Sequence, residues 1–133
     1  MIYGIGTDIV SIERIARAVS RGGDRFLKKV LGEQELQTFF ERQQQSPVRG
    51  IRYVATRFAA KEAFSKAIGT GVRLPMTLRN MQTLSSDQGR PVVVVSDDLQ
   101  CWMNERYLSA HVSVSDEVDQ VVAFVIVEQN ART

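Results

Sequence analysis

Two carboxylates stand where their neighbours are apolar. Asp8 lies in "YGIGTDIVSIERI" (Tyr3 to Ile15), a run that otherwise reads as a buried strand feeding a helix. Glu62 lies in "IRYVATRFAAKEAFSKAI" (Ile51 to Ile68), where the spacing 51, 55, 58, 62 puts it on one helix face with Ile51, Ala55 and Phe58. A carboxylate buried without a partner is expensive, so each needs a cation, a metal or several hydrogen-bond donors. A salt bridge meets that need, for instance between Glu62 and Lys66 one turn on. A shared divalent ion meets it for both at once. With two carboxylates as ligands, and the other positions left to water and a phosphate-bearing substrate, magnesium suits the set better than a closed zinc cage. Arg57, Lys61 and Lys66 ride on the same helix and "GTG" lies at its end, which brings phosphate-binding groups close to these carboxylates.

The remaining reactive residues are few. Cys101 is the single cysteine, so neither an intramolecular disulfide nor a cysteine zinc site can form, and it reads as a small core hydrophobe in a reducing compartment. His111 is the only histidine. Arg14, Arg17, Arg21, Arg25 and Lys28 recur every three or four residues with Asp24 as the only acidic interruption, giving either a solvated face or a surface for an acidic partner.

These residues need a frame to hold them. In Ile2 to Val10, alternation puts Ile2, Gly4, Gly6, Asp8 and Val10 on one strand face and Tyr3, Ile5, Thr7 and Ile9 on the other. Gly4 and Gly6 leave room for another backbone or a ligand beside Asp8. Ser11 caps a helix through Ile12, Ile15 and Val19 that breaks at Gly22-Gly23, and a short helix follows around Glu33 to Glu41. "ERQQQSPVRG" (Glu41 to Gly50) reads as a mobile surface connection. The segment Ile51 to Ile68 is apolar almost all round, as a central buried helix should be, and it stops at Gly69. Strands are expected near Leu78 to Leu84 and at "VVVVS", a short helix opening at Ser96, and closing strands near Leu108 to Ser115 and Gln120 to Glu128. The fold class is α+β, with helices packed on a mainly antiparallel sheet in a single domain over residues 1–133.

Composition excludes several roles. A net charge of +2 over 133 residues is small for a protein that lives on nucleic acid, and Tyr3 and Phe124 read as core-facing rather than as a stacking platform for RNA. The N-terminus lacks a secretory signal, and "VVAFVIV" is far too short to span a bilayer, so a cytoplasmic protein with no membrane contact is expected.

"GIGTDIVSIERI" and "RFAAKEAFSKAIGTG" (57 to 71), with "GRP" at 89 to 91 and "HVSVSDE" at 111 to 117, closely resemble the holo-acyl-carrier-protein synthases, the small bacterial class of 4'-phosphopantetheinyl transferases. The resemblance runs from Met1 to about Glu128 and includes the full pattern of an aromatic residue followed by xxKEAxxK, Phe58 through Lys66. It implies transfer of the 4'-phosphopantetheine arm of coenzyme A to a serine of acyl carrier protein, with release of adenosine 3',5'-bisphosphate, in support of fatty acid biosynthesis. It further implies that Asp8 and Glu62 bind Mg2+ and that Glu62, directly or through a water, takes the serine proton. Lys66 matches a lysine beside the phosphates, and Arg57, Ser65, Pro91 and His111 match positions lining the coenzyme A site. The basic helix, with Arg14 as its best match and Arg17, Arg21 and Arg25 beside it, matches the surface that docks acyl carrier protein. A homotrimer with active sites between subunits is implied as well, so that Arg57 or His111 would act across chains. Many relatives carry a second histidine where this chain has Asp116, and no catalytic role is assigned there.

Overall fold

The computed structural model describes residues 1–131. Nine elements follow in the order β1 (Ile2–Ser11), α1 (Ile12–Val30), α2 (Glu33–Gln45), α3 (Pro47–Ile68), β2 (Met81–Ser85), β3 (Pro91–Val95), α4 (Asp97–Glu105), β4 (Leu108–Asp116) and β5 (Gln120–Gln129). β1, β5 and β4 form an antiparallel sheet in that order, and β2 and β3 form a separate antiparallel hairpin. The α+β expectation holds.

α3 is the hub. Its buried side chains run all round it, from Tyr53, Val54 and Ala55 through Ala63 and Phe64 to Ala67 and Ile68. It lies so close to β1 that a Cβ on Gly4 would stand 1.8 Å from the Ala67 carbonyl oxygen, and one on Gly6 1.8 Å from that of Ala63. The glycines on the Asp8 face therefore admit a helix backbone, one of the two occupants that the strand pattern allows. The consequence is that β1 and α3, which carry the two unusual carboxylates, are held at backbone contact.

α1 begins at Ser11, whose Oγ accepts from the Arg14 N–H at 3.3 Å. Gly23 (φ 54, ψ −140) breaks it into two helical stretches at the place the glycine pair marks. Three sequence expectations need correction. Glu41 to Gly50 is not a mobile connection: α2 runs to Gln45 and α3 starts at Pro47, with only the extended Ser46 between. Glutamine is a fair helix former, and proline suits the first helical position because it has no N–H to satisfy there. Cys101 is exposed on α4, not in the core. Tyr3 and Phe124 face outward, 41% and 40% exposed, beside Ile5 and Ile9 at 53% and 63%, because the core lies on the α3 side of the sheet alone. This outer face is mainly apolar on β1 and β5 and carries His111, Ser113 and Ser115 on β4, and none of its three strands contains a lysine or arginine. Among the described residues, no helix is long and apolar enough to cross a membrane.

Candidate active site

Asp8 leaves β1 on the face shared with Val10, and Glu62 leaves α3 one residue before Ala63, whose carbonyl lies against Gly6. Both line a cleft of about 350 Å³, together with Arg14 and Ile15 of α1 and the rings of Phe26 and Phe58. One end is charged and the wall is apolar. Phe58 was readable in the sequence through its shared helix face with Glu62; Phe26 was not, because it lies beyond the break at Gly23.

Lys66 projects from α3 one turn after Glu62. Its Nζ donates to Asp8 Oδ1 at 3.2 Å and to the Thr7 carbonyl at 2.9 Å, so its ion pair is with Asp8 across the strand rather than with Glu62 on its own helix. Burial, and secondarily the Asp8 charge, pushes the Glu62 carboxyl above its ordinary value, while Lys66 and Arg14 pull it back. Asp8, Glu62 and Arg14 thus share one cleft, and Lys66 acts on it through its ion pair with Asp8. Ser65 is buried behind them, and its hydroxyl donates to the Glu62 carbonyl at 2.7 Å.

Other candidates stand apart from the cleft. Arg57 Nε donates to the Thr83 carbonyl at 3.2 Å, and its guanidinium lies 4.4 Å from the Tyr53 ring centroid, turned toward β2. Pro91 opens β3 opposite Ser85. His111 is exposed on β4, its Nε2 2.6 Å from Glu128 Oε1. Arg17, Arg21 and Arg25 are exposed on α1, with Arg17 paired to Glu13 at 3.1 Å. Asp116 meets Arg52 at 2.6 Å, which also donates to the carbonyls of Glu117 and Val118, so it helps to fix the turn between β4 and β5.

Lys61 overturns its sequence reading. It is no phosphate ligand: its ammonium is fully buried, 2.7 Å from Glu35 Oε1. The helix phase explains it, since one residue is about 100° of rotation, and Glu62 and Lys61 must therefore face different ways. Burial lowers the Lys61 pKa, with Glu35 opposing. Glu35, which sequence reasoning missed, gave a faint signal as an acidic residue on the apolar side of a short helix.

Among the described residues no group of three or more histidines, cysteines, aspartates or glutamates is placed to hold a metal.

The family model of the 4'-phosphopantetheinyl transferase superfamily matches residues 4–125. The chain is 55% identical over 128 residues to the holo-[acyl-carrier-protein] synthase of Bordetella pertussis, covering 96% of this chain and 84% of the relative. Its fold superposes with a TM-score of 0.87 on the crystal structure of the holo-[acyl-carrier-protein] synthase of Neisseria meningitidis, at 42% identity over 96% of this chain and 99% of the other. The Bacillus anthracis holo-(acyl-carrier-protein) synthase, solved in complex with CoA (3',5'-ADP), gives a TM-score of 0.80 at 32% identity, over 98% of this chain and 99% of that one. Full-length similarity of sequence and fold, around a cleft that joins the two family motifs, makes this chain an enzyme of the holo-[acyl-carrier-protein] synthase family within the 4'-phosphopantetheinyl transferase superfamily.

Proposed function

We propose that this chain moves the 4'-phosphopantetheine group from coenzyme A to a serine of acyl carrier protein in a Mg2+-dependent reaction, as a single transferase domain over residues 1–133. The observation that carries the reading is the pair of carboxylates, Asp8 from β1 and Glu62 from α3, lining one cleft, with Lys66 ion-paired to Asp8. The serine oxygen attacks the β-phosphorus of coenzyme A, the bond to the bridging oxygen breaks, and adenosine 3',5'-bisphosphate leaves with the electron pair. Glu62, directly or through a water, takes the serine proton. Lys66 places a cation beside the pyrophosphate, where charge develops as the bond breaks.

The residues fit a magnesium ion. Two carboxylates lining one cleft offer the hard oxygen ligands magnesium prefers, and a pair of ligands suits an ion that keeps several waters. Asp8 and Glu62 would hold it, and the chemistry such an ion supplies is neutralisation of the pyrophosphate charge. Ser65, buried under Glu62, would serve by fixing that residue's helix turn.

Arg57, Pro91 and His111 lie outside the cleft of their own chain, as expected if one coenzyme A is held between subunits. The apolar β1 and β5 part of the outer sheet face, with Tyr3, Ile5, Ile9 and Phe124 exposed together, supports a homotrimer that buries it. Arg14, Arg17, Arg21 and Arg25 would dock the carrier protein. We place the enzyme in the cytoplasm, serving fatty acid biosynthesis. The test is direct: apo acyl carrier protein incubated with the enzyme, coenzyme A and Mg2+ should gain the mass of the phosphopantetheine arm, and chelation of Mg2+ should abolish the gain. No mass change in the complete mixture would sink the reading.

A further inference from the structure

The hairpin of β2 and β3 has no backbone ladder to the main sheet, so its position is set by side chains. The strongest of these form a buried ionic cluster that the transfer chemistry does not touch. Glu35 and Lys61 are both fully buried. Glu35 Oε1 accepts from Lys61 Nζ at 2.7 Å and from the Gly32 N–H at 3.0 Å, and its Oε2 accepts from the Thr83 N–H at 2.9 Å. Lys61 Nζ also donates to the Met81 carbonyl. Between these two strand residues, Gln82 Oε1 accepts from the N–H groups of Gln34 and Glu35, and Arg57, one turn before Lys61, donates to the Thr83 carbonyl. Met81 to Thr83 is thereby fastened to α2 and α3 by directional, charge-assisted bonds.

A buried ion pair is a poor source of stability, because desolvation offsets its attraction and an apolar pair of similar volume often holds a core as well. What apolar side chains cannot supply is direction. Lys61 adjoins Glu62 in sequence, so the helix segment that presents Glu62 to the cleft is the same one locked onto β2. We propose that Glu35 and Lys61 are positioning residues for the transfer reaction, fixing the β2–β3 hairpin and Arg57 on α3, the helix that presents Glu62 to its cleft. This rests on the reading above, in which Arg57 and Pro91 hold coenzyme A. Without the pair, the hairpin shifts on α3 by a fraction of an ångström to an ångström, enough to disturb how Pro91 and Arg57 meet a coenzyme A held between subunits.

The test replaces the pair by neutral side chains of similar volume, Glu35→Gln with Lys61→Met, and measures melting temperature and steady-state transfer with each substrate varied. The double variant should melt at or above the wild-type temperature, raise the KM for coenzyme A about tenfold or lower kcat by about that factor, and leave the KM for carrier protein within about twofold. A folded variant with wild-type kinetics overturns the proposal. If the double variant does not fold, Glu35→Asp decides, since it keeps both charges but shortens the reach by one methylene. A raised KM for coenzyme A in that variant supports positioning, and a lower melting temperature with unchanged kinetics shows a purely structural pair. Wild-type enzyme assayed in parallel separates the two readings, because failure there would reject the transferase assignment itself.

Discussion

Lys66 Nζ on α3 stands 3.2 Å from Asp8 Oδ1 on β1, joining residues 58 positions apart in sequence at a carboxylate that lines the cleft. With the lysine side chain 54% exposed, solvent screens the pair, and its contribution to stability is under about 1 kcal/mol. Lys66→Ala should therefore melt close to wild type while transfer falls about a hundredfold and coenzyme A binds more weakly. Unchanged rate and affinity would reduce Lys66 to an ion-pair partner of Asp8.

Glu62 offers a prediction in which activity and stability part. Burial, then the Asp8 charge, raises its folded pKa above the ordinary 4.5. A raised carboxylate favours the fold in its protonated form: that stability is complete below the unfolded value and is lost as pH rises through the folded one. In chelator at neutral pH, Glu62→Gln should thus melt slightly above wild type, and the gap should close below about pH 4.5, where wild-type Glu62 is protonated too. The same variant, and Asp8→Asn, should transfer far more slowly at ordinary Mg2+. Near-wild-type turnover in either would remove these residues from the site.

Proton competition gives an independent check. Binding of a divalent ion by Glu62 must displace its proton, so Mg2+ affinity should weaken on acidification at a higher pH than an unperturbed glutamate would show, with proton uptake on release. Calorimetry in buffers of different ionisation enthalpy reads that proton directly. Affinity independent of pH down to the ordinary carboxylate range would exclude Glu62 as a ligand.

The legible part of this molecule was whatever local pattern dictates. Strand alternation put Asp8 beside Gly4 and Gly6, helix phase put Glu62 beside Phe58, and Ser11 marked the start of α1. Facts of tertiary packing were not legible. Lys61 looked like its neighbours Arg57 and Lys66 until the helix was docked, and the partner that makes its burial possible, Glu35, lies 26 residues away on another helix. Which face of β1 is covered also depends on where α3 lies, so Tyr3 was misplaced although its alternation was read correctly.

Gly6 turns that packing into a measurement. A Cβ there would stand 1.8 Å from the Ala63 carbonyl oxygen, a backbone atom that cannot rotate aside. Gly6→Ala should destabilise the protein by roughly 3 kcal/mol or more in denaturant unfolding, since strand and helix must separate to admit the methyl. A loss below about 1 kcal/mol would mean that β1 and α3 pack less closely than described.

The basic helix calls for a choice of residues that the sequence alone would not suggest. Arg14 lines the cleft and lowers the Glu62 pKa, so changing it perturbs chemistry and docking together. Arg17 is engaged by Glu13. Arg21 and Arg25 are exposed on either side of the Gly23 break, and they isolate the docking surface. Charges on an exposed face act mainly on encounter and orientation and are screened by salt. Arg21→Glu with Arg25→Glu should raise the KM for carrier protein about tenfold at low salt, less at moderate salt, with coenzyme A affinity unchanged. Arg14→Ala should instead move both substrates. Steady-state kinetics at two ionic strengths distinguishes the cases: an equal loss for both substrates in the double variant would point to a damaged fold, and no loss for the carrier protein would leave Arg21 and Arg25 as solvated surface.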